Sequence, residues 1–461
     1  MELQGKKVLV VGAAKSGLAV TRFLLGKGAR AVLTDSKKLP ISGELAELAA
    51  EGAVMRLGEY PAVRPGDFDL LVVSPGVPLT VDPVREGYEN GVPVLGELEL
   101  AWRFISSPVV AVTGTNGKTT TTTLIGEILR KAGYNTLVAG NIGLPLVTGV
   151  EQYGPDDYIV AEVSSFQLET TSLFRPKVGL ILNITPDHLD RHGNMENYIK
   201  AKARIFMNQG PGDFTVLNYD DGNTRRLAGD VPGGVLFFSR RRELEKGAYV
   251  RGGQIVYNLG SGVVEVCPAA RLAIPGAHNL ENALAATAAA AAAGVGADVL
   301  AETLTSFQGV SHRLEFVAEI NGVRYINDSK GTNPDASIKA LEAYDAPIVL
   351  IAGGKNKGSD FSEFAAKVKE KVRAMVVLGQ CAADIAAAAR AKGFTEILSA
   401  GGFQEAVLLA HRAARPGEIV LLSPACASWD MFNSYEERGD LFKEIVRELA
   451  GRLMKNNGIN N

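Results

Sequence analysis

Three consecutive α/β domains, each built on a mainly parallel sheet, are what this sequence predicts. Three observations carry that reading. The chain has 461 residues, more than one core usually organises. Short aliphatic runs alternate with helical patterns along its whole length. Mixed or polar passages interrupt the alternation twice, which sets the expected domains at 1–99, 100–309 and 310–461.

In the first series KVLVVG, LAVTRFLLGKG, AVLTDS and DLLVVSPGV follow one another as strand and helix signals. A mixed connector over 96–108 ends it. VVAVTG then opens a second series, with YIVAEVSS and VGLILNIT as buried strands. It closes with an alanine-rich stretch over 285–294, too short to span a bilayer and therefore a packed helix, and with a polar passage at 308–313. From Arg324 onward RYINDS, IVLIAGG, AMVVLG, TEIL and EIVLLSP alternate with helical segments such as FSEFAAKVKEK, a third α/β unit.

Composition excludes several classes of function. Hydrophobic residues make up 46% and charged residues 21%, an ordinary globular balance that argues against global disorder. A formal net charge of -3 gives no excess with which to hold a nucleic acid or an anionic membrane, so any anion must be bound locally. The three cysteines, Cys267, Cys381 and Cys426, form no C-x-x-C pair, which argues against a disulfide framework and points to a reducing, cytoplasmic setting. The opening MELQGKKVLVVG enters a strand at once, without the order of a signal peptide, and reads as mature protein.

The richest stretch is Val112-Thr113-Gly114-Thr115-Asn116-Gly117-Lys118-Thr119. A strand runs into a glycine loop that opens a helix, so backbone N–H groups and the helix dipole converge on a point suited to phosphate. Lys118 would reach the outer phosphates, the Thr119 hydroxyl would bind Mg2+, and Thr120 would donate to phosphate from the first turn. ATP is the expected nucleotide. Val112 stands where the longer phosphate-loop motif wants glycine, leaving G-T-x-G-K-T. Five threonines, Thr119 to Thr123, then occupy the helix start although they disfavour helix. The last three either bond back to carbonyls or meet neighbouring helices.

Three further residues accompany the loop. Glu162 ends an apolar strand, where its carboxylate either helps hold Mg2+ or is simply solvated. His188 follows another buried strand, on a loop that carries ligands as readily as it carries structural histidines. In MENYIKAKARIF the apolar stripe Met195, Tyr198, Ile199, Ile205 and Phe206 includes Lys202 on its face. An inward lysine must be paired, neutral, modified or snorkelling. Near the N-terminus, Gly12-Ala13-Ala14-Lys15-Ser16-Gly17 imitates a dinucleotide loop, but Ala14 puts a Cβ where pyrophosphate needs bare backbone, so NAD is demoted.

The words GTNGKTTT, GNIG, EVSSFQLE, NITPDHLDRHG, AKARIF, GAHNLENALAA, SHRLEF, NDSKGTNPDAS, GGKNKGSDF and SPACASWDMF, in this order, resemble the Mur ligase family of ATP-dependent amide ligases over nearly the whole chain. SSFQLE, NDSKGTN and SPACAS resemble the branch that adds D-glutamate to UDP-N-acetylmuramoyl-L-alanine in cell-wall precursor synthesis. The resemblance implies an N-terminal Rossmann-like UDP-binding domain, a central P-loop ATPase-like domain and a C-terminal Rossmann-like domain meeting amino acid and ATP. It implies a cytoplasmic monomer that binds no nucleic acid and enters no membrane.

Residue by residue, the resemblance assigns Gly114, Thr115, Asn116, Gly117, Lys118, Thr119, Thr120, Asn279, Asn282, Arg313 and Asp328 to ATP. It assigns Ser16, Asp35, Ser36, Lys37, Ser74, Gly76, Asn141 and Ser164 to the UDP substrate, and Lys330, Thr332, Lys357, Ser428 and Tyr435 to D-glutamate. Lys118, His188, Lys202 and Glu162 become the catalytic set. Thr119, Glu162, His188 and a carbamate formed on Lys202 from CO2 become the surroundings of Mg2+. A folylpolyglutamate synthase-like enzyme would share the ATP parts but would need neither the first domain nor SPACAS. A phosphate-loop motor would hydrolyse ATP without an amino acid, and a dehydrogenase would need a nicotinamide.

Overall fold

The computed structural model describes residues 1–141, 143–274, 276–356 and 359–457. Three sheets organise them. Contacts divide the chain into one unit of Met1–Arg271 with Glu281–Thr305, holding the first two sheets, and a second of Leu272–Leu280 with Ser306–Asn461, holding the third.

The first sheet has five parallel strands in the order Val54–Leu57, Arg30–Asp35, Lys7–Val11, Leu70–Val73, Val94–Gly96. Its inner strands bury near-continuous apolar runs such as Val8 to Val11 and Leu70–Val73, because crossover helices of a parallel sheet cover both faces, whereas the edge strand Val54–Leu57 is partly exposed. The order reverses beside Lys7–Val11, which opens a crevice at the carboxyl ends of Lys7–Val11 and Leu70–Val73.

Nine strands form the second sheet. From one edge it runs Thr136–Gly140, Tyr158–Glu162, Val109–Thr113, Val178–Ile181, Phe214–Asn218, Gly234–Ser239, all parallel. At the other edge Gly247–Arg251, Gln254–Asn258 and Val263–Pro268 turn antiparallel, a ribbon that the α/β reading of this region does not include. Two acids tie the connector between the first two sheets. Glu99, fully buried, accepts N–H bonds from Ser172, Leu173 and Phe174, and buried Glu97 accepts one from Val147 at 2.8 Å. A buried carboxylate is tolerated only when so paired. One apolar cluster runs through both domains, from Leu9's neighbours Val8 and Val10 to Ile205 and Leu217.

The alanine-rich stretch forms the helix Ala277–Ala292, with Ala283, Ala285, Ala286 and Ala288 to Ala290 fully buried. The third sheet runs Glu315–Ile320, Val323–Asn327, Ile419–Leu422, Ile348–Gly353, Val372–Leu378, Ile397–Ser399 and is parallel except at its first, antiparallel edge strand. Among the described residues no helix is long and apolar enough to cross a membrane.

Candidate active site

At the carboxyl end of the strand Val109–Thr113 the chain turns through Gly114, φ 150°, and Gly117, φ 86°, into the helix Lys118–Lys131. Glycine is required twice here. A Cβ on Gly117 would stand 2.3 Å from the Asn282 amide oxygen, and Gly117 adopts the left-handed backbone that side chains disfavour. The loop between is clamped by the neighbouring strand's extension. Thr115 and Asn116 donate their N–H groups to the Asn183 carbonyl and side-chain oxygens at 2.9 and 2.8 Å, Asn183 Nδ2 donates to Asn116 O, and Thr115 Oγ1 pairs with both backbone groups of Thr185. Asn183 and Thr185 thus shape the loop. Both sit in the NITPDH word, yet neither is among the residues read as functional from sequence.

The threonine run divides by position. Thr119 and Thr120 lie buried in the first turn, and the Thr120 hydroxyl has no partner within the protein. Thr121 donates to Asn282 Oδ1 at 3.3 Å and so meets the alanine-rich helix. Thr122 is also buried with an unpaired hydroxyl, for which the structure gives no partner.

Two lysines converge on one carbonyl oxygen. Lys118 Nζ donates to Gly114 O at 3.0 Å and to Thr115 O at 2.9 Å, while Lys202 Nζ donates to Gly114 O at 2.8 Å. Lys202, on the helix Met195–Ala203, is 1% exposed and lies 4.6 Å from the centre of the Tyr198 ring. Burial pushes its ammonium well below the ordinary lysine value, and Lys118 pushes the same way against the weaker pull of Asp187 and Glu162. Two full positive charges on one dipole would repel, so this site favours an uncharged amine at Lys202.

Glu162 ends the adjacent strand and is 2% exposed. Its Oε1 accepts from Asn141 Nδ2 at 2.9 Å, whereas Oε2 is buried without a partner. An orphaned buried carboxylate oxygen beside a phosphate loop suits a cation. Among the described residues no three His, Cys, Asp or Glu side chains form a ready-made cage. His188 takes φ 53° at the start of the short helix Leu189–His192, its ring edge-on to Phe166 at 4.8 Å.

In the first domain, Asp35 serves the loops themselves. Its carboxylate accepts N–H bonds from Ala13 and Lys37, each at 2.9 Å, and so ties two crevice loops together. Ser74 donates to Gly12 O at 3.0 Å, and a Cβ on Gly17 would stand 1.8 Å from that same oxygen. Gly17 is therefore needed for strand–helix approach. Ser16 is half-buried at the start of the helix Lys15–Gly26, and Ser36, Lys37 and Gly76 are exposed around the crevice. Ser164 is committed locally: it caps the helix Ser165–Leu168 in a reciprocal pair with Gln167. Gln167, Phe166 and Arg191 face Ser74 and Pro75 across a small cleft, three residues that motif reading passes over.

The second unit gathers another set. Asp328 follows the strand Val323–Asn327, accepting from Ser423 Oγ at 2.7 Å and from the Leu314 N–H at 3.3 Å. Arg313 has a buried Nε without a partner. Lys330 Nζ lies 5.2 Å from the Tyr435 ring centre, and the Thr332 N–H donates to Lys330 O. Ser428 is buried on the loop after the adjacent strand Ile419–Leu422. Arg438, 1% exposed, joins these loops by donating to Ser329 Oγ and O and to Cys426 O. No motif marked it. Asn279 of this unit and Asn282 of the first, three apart on the helix Ala277–Ala292, are both buried. Lys357 lies outside the described residues.

Burial pushes the Asp328 carboxyl from 3.8 up to about 6, Arg313 and the Ser423 hydroxyl offsetting only part of it. The folded protein then holds this proton more tightly than the unfolded chain. The contribution favours folding at acid pH and is lost as pH climbs from about 4 through about 6. Asp328→Asn is expected to be more stable than the parent at pH 7 by about 2 kcal/mol, an advantage that vanishes below about pH 4. Urea unfolding at both pH values checks it; an equal difference at the two would refute it.

A glycine loop opening a helix at the end of a parallel sheet, with a lysine, a buried orphaned carboxylate and flanking α/β domains, defines a phosphate-handling α/β enzyme of the P-loop kind. The chain belongs to the Mur ligase family. It matches the MurD-like N-terminal domain over residues 6–96, the Mur ligase middle domain over 112–290 and the Mur ligase glutamate ligase domain over 312–426. Among relatives, it is 68% identical to the UDP-N-acetylmuramoylalanine–D-glutamate ligase of Pelotomaculum thermopropionicum, covering 96% of this chain and 98% of that one. It is 50% identical to the protein of the same name from Thermoanaerobacter sp., covering 97% and 100%. Its fold is shared with MurC of Thermotoga maritima, TM-score 0.61 at 19% identity over 96% of this chain and 99% of that one. MurF of Acinetobacter baumannii gives TM-score 0.62 at 19% identity over 96% of this chain and 91% of that one.

Proposed function

We propose that this chain joins D-glutamate to the L-alanine carboxylate of UDP-N-acetylmuramoyl-L-alanine at the expense of ATP, releasing ADP and phosphate, as a cytoplasmic step of peptidoglycan precursor synthesis performed by a monomer. The observation that carries it is the match, over 96% of the chain and all three domains, to a relative named for that reaction.

The loop Gly114 to Thr120 binds the phosphates of ATP, its N–H groups and helix N-terminus offsetting their charge. Lys118 neutralises the γ-phosphoryl group while the L-alanine carboxylate attacks it in line, giving an acyl phosphate and ADP. The D-glutamate amine then attacks the acyl carbon, and the tetrahedral intermediate collapses to the amide and phosphate. Thr119, Glu162, His188 and a carbamate on Lys202 would hold Mg2+, which when bound supplies charge neutralisation on the transferring phosphoryl group. The low basicity of buried Lys202 supports the carbamate, because only a neutral amine reacts with CO2.

Asn279, Asn282, Arg313 and Asp328 hold the nucleoside end of ATP. Ser16, Asp35, Ser36, Lys37, Ser74 and Gly76 hold the UDP group, with Asn141 and Ser164 nearer the muramoyl end. Lys330, Thr332, Lys357, Ser428 and Tyr435 receive the two carboxylates of D-glutamate, which call for cations and hydroxyl donors. ADP release measured with UDP-N-acetylmuramoyl-L-alanine and, separately, D-glutamate, L-glutamate, L-lysine or diaminopimelate tests the reading. Turnover is expected with D-glutamate alone; its absence there would overturn the assignment.

A further inference from the structure

Two of the three cysteines meet in the third sheet. Cys381 stands at the start of the helix Ala382–Ala391, after the strand Val372–Leu378, and Cys426 lies on the loop after Ile419–Leu422. The strand Ile348–Gly353 separates those two strands, so both loops bend across its end to meet. Cys381 N–H donates to Gly354 O and Gly353 N–H to Pro424 O, each at 2.9 Å, while Lys355 and Ala427 exchange N–H bonds at 2.8 and 3.1 Å. The sulfurs are 2.7 Å apart, with Cys381 1% and Cys426 2% exposed. Cys267 is buried on the strand Val263–Pro268 of the second sheet, in the other unit.

Burial ordinarily makes a cysteine inert. Here two features act the other way: a second sulfur already in contact, and a helix N-terminus that favours thiolate at Cys381. The hydrogen bond between the thiols holds Cys381 below the usual thiol value, and the same bond, with burial, raises Cys426. Standing at the N-terminus of the helix Ala382–Ala391, Cys381 is the nucleophile and Cys426 the resolving thiol.

We propose that Cys381 and Cys426 form an oxidation site, which a peroxide converts to an intrachain disulfide that shifts the loop bearing Ser428. Cys381 thiolate attacks one peroxide oxygen, breaking the O–O bond; the departing hydroxide takes a proton and leaves as water, and the sulfur becomes a sulfenic acid. Cys426 sulfur then attacks that sulfur, and its proton leaves with the displaced hydroxide as a second water. Two thiols lose two electrons and two protons, and the peroxide takes up both. A dithiol reverses the bridge.

Closing the sulfurs from 2.7 Å to a bond of about 2.05 Å pulls on Cys426. The pull bears on the two backbone bonds by which Lys355 holds Ala427, the residue between Cys426 and Ser428, and Ser428 shifts as that pairing yields. That this loop receives D-glutamate rests on the function proposed above.

The test treats the full-length protein with hydrogen peroxide, then maps disulfides by mass spectrometry without reduction. A Cys381–Cys426 linkage lighter by two hydrogens is expected, with Cys267 still open to alkylation after unfolding. The KM for D-glutamate should rise about tenfold, since sub-ångström misplacement of a bound reactant has effects of that order, and dithiothreitol should restore it. Cys381→Ser should keep its KM through the same treatment. Both thiols still alkylated after peroxide, or a linked enzyme with unchanged KM, would overturn the proposal. Absence of D-glutamate-dependent turnover before oxidation would remove the functional reading alone, the mapping then deciding the bridge.

Discussion

Lys118→Met is expected to lower the rate of D-glutamate-dependent ADP release by about a thousandfold, the upper range for removing one charge-stabilising group from a phosphoryl-transfer site. Its Nζ is fixed by the carbonyls of Gly114 and Thr115 at 3.0 and 2.9 Å, so the cation is positioned before any substrate arrives. Positioning of this kind acts on the transition state, and the loss should therefore fall mainly on kcat. Methionine keeps the aliphatic stem and its packing. Thermal unfolding should change little, because the glycine turns and the Asn183 clamp shape the loop independently of this side chain. Lys131, at the other end of the same helix and paired with Glu302, is the control: Lys131→Met should keep activity near the parent. A Lys118→Met enzyme within tenfold of the parent would remove Lys118 from its role.

The parallel sheets were legible because their strands are unbroken aliphatic runs bounded by glycine turns, as in KVLVVG and IVLIAGG. The inward face of Lys202 was legible from helical periodicity alone, and it is 1% exposed. The ribbon of Gly247–Arg251, Gln254–Asn258 and Val263–Pro268 was not, because its strands are short, half-polar and separated by turns that resemble any surface loop. Roles that depend on tertiary contact stayed hidden as well. Asp35 spends its carboxylate on Ala13 and Lys37, Arg438 fastens two loops from a helix rich in acids, and Cys381 finds Cys426 across an intervening strand. Among the threonines, the phosphate-loop pattern already sets Thr120 apart from Thr121 to Thr123, and the structure adds that Thr121 bonds to Asn282 while the buried Thr120 hydroxyl has no partner within the protein.

Lys202→Met separates two properties that a catalytic lysine usually combines. Activity is expected to fall about a thousandfold, since methionine can neither carry a carbamate nor replace its charge. Stability should rise at neutral pH. The folded-state pKa of Lys202 lies well below that of the unfolded chain, so the unfolded state binds more protons and the folded protein becomes more stable as pH climbs toward the ordinary lysine value. At neutral pH and without CO2, where Lys202 is unmodified, the parent bears the cost of an unprotonated buried amine, which methionine removes along with the bond to Gly114 O. A net gain of about 1 kcal/mol is expected, shrinking as pH approaches the lysine range. Carbamate formation has its own readout: the amine adds the carbon of CO2 and loses one proton, so isotopically labelled bicarbonate should give a carbamate carbon signal in the parent and none in Lys202→Met. Removing CO2 should lower the parent's activity reversibly and leave the variant's residual rate unchanged. A parent that is equally active without CO2 and carries no labelled carbon would leave Lys202 a neutral amine, and its attachment to Gly114 O, rather than a carbamate, would then explain the loss on mutation.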